Sequence, residues 1–215
     1  ERFGILPFLL TSVAGTAGAV LLGVPIGLLA SLFLAKAAPP RLAAVIRTAV
    51  ELLAGIPSIV YGLVGMIVLV PAIQRTFGLA SGASLLAAIL VLSIMILPSV
   101  VSVAEMSLAA VPREYEEASL ALGATWMETL YFVTFPAARS GIAASVVLGA
   151  GRAIGEAMAI IMVSGYVPNL PGSLFAPVRF LTTAIASEMS YAAAGSLHQT
   201  ALYSIGLVLF LFIMC

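Results

Sequence analysis

The chain has 215 residues, of which 62% are hydrophobic and only 8% charged, and its nine basic and nine acidic side chains leave a formal net charge of zero. Burying so much apolar surface in water needs an improbably large core, so a bilayer is the simpler solvent; apolar runs of about 20 residues recur, the helix length that crosses roughly 30 Å of hydrocarbon. No alternating strand-like polarity appears, which excludes a barrel, no basic run exists, which excludes nucleic acid as a partner, and the lone Cys215 excludes an internal disulfide and a cysteine-built metal site.

Five spans are predicted, at about residues 5–35, 42–70, 84–108, 136–163 and from 199 past the end. Together they form one all-α transmembrane domain over 1–215. Glu1 is not an initiator Met, and Cys215 ends an apolar run before any charged stop, so both ends read as cut. A further span is expected upstream, giving six helices in the intact subunit. The first apolar segment is too long for a signal peptide and lacks a small-residue cleavage site after it.

Gly23 with Gly27 in the first span, and Gly151 with Gly155 in the fourth, form Gly-xxx-Gly faces that let helix backbones approach. In the second span, Gly55-Ile56-Pro57-Ser58 is expected to kink the helix, because Pro57 has no N–H and frees a carbonyl one turn earlier. That kink either lines a cavity or is satisfied by a neighbouring helix. Glu51 lies four residues after Arg47 and is expected to pair with it, while Glu105, near the end of the third span, is expected to face Arg113 or lipid headgroups.

Between the third and fourth spans lies one charged, helix-competent island, Glu116-Glu117-Ala118-Ser119-Leu120-Ala121-Leu122-Gly123, inside a segment of about 113–125. Lys36, Arg41 and Arg47 surround the first connection, and Arg113 and Arg139 bracket the island, two spans later and so on the same side. The opposite loops hold Arg75 and Arg179, with Arg2 before the first span. The basic excess therefore puts the island in the cytoplasm. The long connection at about 166–198, with Pro168, Pro171, Gly172 and Pro177, falls outside, and its middle, 178–189, is expected to form a short helix.

The run Gly151-Arg152-Ala153-Ile154-Gly155-Glu156 puts two charges deep in the fourth span. An arginine at mid-bilayer costs about 2.5–3.5 kcal/mol on insertion scales, so something must offset it. Spacing of four sets Arg152 and Glu156 on one helical face, where they can pair. They are then either a self-neutralising structural pair or the lining of a path, with the planar donors of Arg152 offered to an oxyanion and Glu156 tuning that contact. A carboxylate beside the arginine suits an anion that still carries a proton, as hydrogen phosphate does.

These residues carry a family resemblance. The pattern Glu-Ala-Ala, three residues, Gly, nine residues, Ile-x-Leu-Pro marks the cytoplasmic coupling loop of ABC importer permeases, and Glu117, Ala118, Gly123 and Pro136 fall on it. Ser119 replaces the second Ala, and Val133-Thr134-Phe135-Pro136 replaces Ile-x-Leu-Pro. The stretches 151–159 and 55–62 resemble motifs of the phosphate importer's permease, and 173–175 with 187–189 are similar to its C-type subunit. Ala157 stands where a threonine is common, and Tyr166 where an asparagine is common.

The resemblance implies a bundle of the type I ABC importer permease kind in a bacterial or archaeal plasma membrane. It implies import of inorganic phosphate, with molybdate, tungstate or sulfate as alternatives. It also implies a second homologous permease subunit, two ATP-binding subunits that carry ATP and Mg, and an extracytoplasmic phosphate-binding protein. Glu116, Glu117, Ala118, Leu122 and Gly123 would be the ATPase-coupling residues. The chain itself has no phosphate-binding Gly-xxxx-Gly-Lys loop, and its only lysine, Lys36, follows an alanine, so neither an enzymatic role nor a cofactor of its own is expected. A distant alternative is an intramembrane serine protease built on Ser164 and His198.

Overall fold

A computed structural model describes residues 4–214. Arg2, counted among the outer charges, and the terminal Glu1 and Cys215 lie outside the described residues. Among the described residues there is no strand, only an isolated bridge between Gly165 and Val178.

The first long helix, α1 (Leu6–Leu32), runs on through a π-helical turn, Phe33–Ala37, giving one apolar span to Ala37. After it comes α2 (Pro40–Gly55), then a break, then α3 (Ser58–Val64), a second π-helical turn (Gly65–Leu69) and α4 (Val70–Phe77). The span here is Ser58–Phe77, so the second predicted span, 42–70, is corrected: the observed one starts about sixteen residues later. Pro57 is the reason. It lacks the N–H that would continue a helix and pushes Ile56 out of helical backbone, and at φ −57°, ψ 140° it stands at the N-cap of α3. What the sequence suggested as a kink is a boundary between two helices. α2, freed from the span, is amphipathic, with Arg41, Arg47 and Glu51 all exposed.

The third span is α5 (Leu85–Ala109). Beyond it α6 (Arg113–Ala121) and α7 (Trp126–Thr129) lead through a third π-helical turn, Leu130–Thr134, into α8 (Phe135–Ala137). The chain then turns by 69° between Trp126–Ala137 and Arg139–Gly155. The fourth predicted span, 136–163, is not one rod: α9 (Arg139–Gly155) and α10 (Met158–Val163) are separated by the non-helical pair Glu156 and Ala157. The predicted short helix of the long connection is α11 (Leu181–Glu188), and the last span is α12 (Leu197–Met214).

The contacts of the chain gather in two compact units, the first formed by Glu1–Leu22, Ile56–Met95 and Ala150–Cys215, the second by Gly23–Gly55 and Ile96–Gly149. In the first, α3 packs on α10 and α11 on α12. The approach of α3 to α10 is a backbone contact, since a Cβ on Gly62 would lie 2.7 Å from Ala159 Cα. Leu92, Met95, Ile160, Val163, Val178 and Leu181 are fully buried there.

In the second unit Leu28, Leu32 and Ala35 of the first span pack on Leu108, Val111, Ala138 and Ile142, while Ala30, Ala38, Ile46 and Val50 pack on Leu34, Ala43 and Val101. Gly27 fits against Val100, where a Cβ would come within 2.7 Å of its Cγ1, so this glycine does let helices approach. Gly151 and Gly155 of the first unit differ: a Cβ at either meets no atom within 4 Å.

Candidate functional site

The second unit carries the charged island. Pro112, at φ −58° and ψ 137°, starts α6, and Glu114 and Glu116 in its first turn suit the positive end of the helix. Gly123 stops it: φ is +91°, a left-handed backbone that glycine adopts without penalty. The turn then restarts at Thr125, whose Oγ1 accepts from Glu128 N–H at 3.3 Å while Glu128 Oε2 accepts from Thr125 N–H at 2.7 Å.

The five residues expected to couple to a partner divide between two sides of this segment. Glu117, Ala118, Leu122 and Gly123 are exposed, and Leu122 is 90% exposed. With Ser119, Ala124, Glu128 and Phe132, Leu122 and Gly123 also line a concavity of about 400 Å³. Glu116 turns the other way. Its Oε1 accepts from Lys36 Nζ at 2.5 Å and from Thr134 Oγ1 at 2.9 Å. Lys36 was legible in the sequence only as one of several cytoplasmic charges, and nothing in local spacing connects it to Glu116. Nearby, Arg47 Nε lies 2.6 Å from Glu105 Oε1, so the expected partners, Glu51 for Arg47 and Arg113 for Glu105, are corrected. Glu105 is buried on α5, and a buried carboxylate needs a cation more than the exposed Glu51 does.

The first unit carries the intramembrane charges. Arg152 lies in the last turn of α9, where a cation is favoured by the helix dipole. Glu156 does not continue its face, because the helix has ended at Gly155. Glu156 Oε1 accepts instead from Ala159 N–H at 3.0 Å, capping α10, and the Glu156 carbonyl accepts from Thr182 Oγ1 at 2.6 Å. The four-residue spacing assumed an unbroken helix; Gly155, a poor helix former, followed by a side chain that competes for a backbone N–H, breaks it. Both side chains are half-buried.

A further polar cluster in the same unit lies on the long connection. Arg179, only 8% exposed, donates to Tyr166 Oη and to Glu188, and Glu188 Oε2 is 3.2 Å from His198 Nε2. The guanidinium also sits 4.2 Å from the centroid of the Tyr166 ring and 5.5 Å from that of Phe8. Tyr166 reaches it from left-handed backbone, φ 59°, a conformation asparagine adopts far more readily than tyrosine. A cavity of about 750 Å³ adjoins this cluster, lined by Phe8, Arg179, Glu188, His198, Leu202 and others. Ser164 is fully buried at the end of α10, and His198 opens α12 as an interfacial residue would.

A model of the family described as "Binding-protein-dependent transport system inner membrane component" matches residues 23–215. A protein named as a probable ABC transporter permease, YqgH of Bacillus subtilis, is 42% identical over 217 residues, covering 99% of this chain and 70% of that protein. Phosphate transport system permease protein PstC of Haemophilus influenzae is 39% identical, covering 98% and 72%, and its counterpart in Mesorhizobium japonicum is 37% identical, covering 98% and 70%. Among solved structures, an inward-facing form of the MetNI methionine ABC transporter aligns at a TM-score of 0.74 over 98% of this chain and 89% of that one, at 21% identity. An amino acid ABC transporter aligns at 0.64, also at 21% identity. Those two likenesses show the fold alone, the all-α membrane bundle of those transporters.

Proposed function

This chain belongs to the binding-protein-dependent transport system inner membrane component family, and from that premise we propose that it is the membrane-spanning subunit through which an ATP-driven importer passes inorganic phosphate. It is a multi-pass inner-membrane permease, and ATP hydrolysis belongs to a separate subunit. Phosphate is favoured by the relatives named as phosphate permeases, which align over nearly the whole chain. The observation that carries the reading is the break between α9 and α10, which leaves Arg152 half-buried in the last turn of a 17-residue helix and Glu156 half-buried in the break before a six-residue one.

Broken helices are tolerated at membrane depth only where protein or a water-filled cavity satisfies the freed backbone, and intramembrane charges mark ion paths. Here the break is satisfied by Thr182 and by the carboxylate of Glu156 itself. Arg152 supplies planar, forked donors that match the oxygens of a tetrahedral anion. Glu156, an acceptor, complements the hydroxyl that hydrogen phosphate still carries and that sulfate and molybdate lack near neutral pH.

The same reading assigns the remaining parts. A phosphate-binding protein delivers the ion on the outer side, a second permease subunit completes the path, and two cytoplasmic ATPases with ATP and Mg each receive one coupling segment. In this chain Glu117, Ala118, Leu122 and Gly123 form the exposed surface that an ATPase groove would receive. Closure of the ATPases then switches the helices between inward-open and outward-open packings, a rigid-body change.

The test is reconstitution of the complete complex in vesicles, with ATP-driven uptake of phosphate, sulfate and molybdate compared side by side. Phosphate uptake is expected to exceed the other two, and Arg152→Gln is expected to reduce it to the background of empty vesicles while the complex still assembles. Preference for another oxyanion would reassign the substrate, and undiminished uptake by the variant would make Arg152 a structural charge.

A further inference from the structure

One carboxylate holds the coupling segment to the rest of its unit. Glu116 Oε1 takes the ammonium of Lys36 at 2.5 Å and the hydroxyl of Thr134 at 2.9 Å. Lys36 is the single lysine of the chain. Its side chain is only 12% exposed, and that of Glu116 24%, so water competes weakly for either charge. Solvated surface pairs contribute little; a shielded pair with a second donor on the same oxygen fixes geometry.

Both partners of Glu116 sit in π-helical turns. Lys36 lies in Phe33–Ala37, where the first span ends, and Thr134 closes Leu130–Thr134, just before α8. A π turn carries one residue more than an α turn and so rotates the next stretch of chain around the helix axis; isolated π turns inside α-helices occur frequently at functional sites. Such a turn is also a place where helical register can change without unfolding the helix.

The neighbouring packing makes the same connection. Leu28, Leu32 and Ala35 of the first span share a core cluster with Val111, the residue before the Pro112 cap of α6. At the other end of α6, Ser119 and Thr129 hydroxyls meet at 2.9 Å, tying it to α7. No residue of α6 is fully buried; it packs on the Leu130–Thr134 turn and on α7, and Glu116 and Ser119 are its half-buried side chains. The charged contact at Glu116 reaches the first span at Lys36.

We propose that Lys36, Glu116 and Thr134 form the joint through which a displacement of α6 is passed to the first span, which makes Lys36 a positioning residue for coupling. The inference rests on the reading of α6 as the segment that meets an ATPase, and it deepens that reading by naming the side chains that carry the movement onward. A joint and a mere brace differ in one respect. A brace changes how much complex assembles; a joint changes how much transport each hydrolysed ATP yields.

The experiment uses the complete complex with the full-length subunit in vesicles, loaded binding protein outside, and whichever of phosphate, sulfate and molybdate the unaltered complex imports. Lys36→Met, Lys36→Arg and the exchanged pair Lys36→Glu with Glu116→Lys are compared for complex recovered, for ATP turnover with and without loaded binding protein, and for ions imported per ATP. The Lys36→Met complex is expected to assemble and keep its basal ATP turnover, but to lose roughly fivefold or more of both stimulation and ions imported per ATP, within the range of allosteric coupling terms. Lys36→Arg is expected to retain most of both, and the exchanged pair to recover part.

Wild-type stimulation and yield in Lys36→Met would overturn the joint. So would an assembled exchanged pair that does no better than Lys36→Met. A Lys36→Met subunit that fails to assemble while the other two behave as wild type would assign the pair to assembly and overturn it as well. Failure of the unaltered complex to import any of the three ions is a separate result, and it would sink the transport reading itself.

Discussion

Two glutamates, Glu116 in one unit and Glu156 in the other, solve the problem of a half-buried carboxylate in opposite ways. Glu116 is held by side chains from distant segments, Lys36 and Thr134, and so binds three stretches of chain together. Glu156 spends its carboxylate locally, on the N–H of Ala159 three residues on, and so makes a helix end where the apolar sequence alone would run through. The first arrangement suits transmission of force: its bonds break if the segments part. The second suits a path, because a cap at a helix break leaves the carboxylate within its own segment and the neighbouring backbone satisfied.

The largest effect that could break this contrast is at Glu156. Glu156→Ala removes both charge and cap, and is expected to lower uptake roughly tenfold or more, the equivalent of about 1.4 kcal/mol in the rate-limiting barrier. The lost cap adds a stability cost of about 0.5–2 kcal/mol. Glu156→Gln separates the two, since the amide oxygen can still accept from Ala159 while the charge is gone. It is expected to keep the thermal unfolding midpoint of the purified subunit and still lose uptake. Full uptake by the glutamine variant would reduce Glu156 to a helix cap.

A second comparison concerns what supports the break. α10 is seated against α3 at Gly62, where an added methyl would lie 2.7 Å from Ala159 Cα and 2.9 Å from its carbonyl oxygen. Backbone cannot yield as a side chain can, so Gly62→Ala is expected to cost about 1–3 kcal/mol. Gly151→Ala, in open space on the same unit's α9, is expected to leave stability unchanged or raise it by about 0.5–1 kcal/mol through helix propensity. Thermal unfolding of the two purified variants in detergent measures both. Equal midpoints would mean that the α3 to α10 contact is loose.

The first, third and last spans were legible because apolar length is a property of the sequence alone. The helix of the charged island was legible for the same kind of reason, since charge and helix propensity lie within a dozen residues; the left-handed backbone of Gly123, which ends it, is read from the structure. What failed to show were decisions made between distant residues. Arg47 has Glu51 one turn away and takes Glu105, 58 positions distant, because Glu105 is the buried one. Arg179 looked like a loop charge and is packed among Tyr166, Phe8 and Glu188. Pro57 and Glu156 mislead for a different reason. Both fall inside apolar runs long enough to be one helix, and periodicity does not reveal where a backbone donor is missing or diverted.

The exposed side of α6 gives the smallest effect on the subunit and the clearest one on assembly. Leu122 is 90% exposed and contributes nothing to its own fold, so Leu122→Ser is expected to change the stability of the isolated subunit by no more than about 0.5 kcal/mol. A leucine that stands at a helix end, beside a glycine with φ +91° and above a concavity shared with Phe132, has apolar surface with no use inside this chain. If an ATPase groove receives it, burying that side chain contributes about 1.5–3 kcal/mol, and its loss lowers the amount of ATPase that co-purifies with the subunit while leaving membrane insertion intact. Glu116→Gln should do the reverse, disturbing transmission more than docking, because its oxygen faces Lys36 and Thr134. Co-purification that falls for Glu116→Gln and holds for Leu122→Ser would exchange the two sides of α6, with the inward face doing the docking and the outward face left without a role.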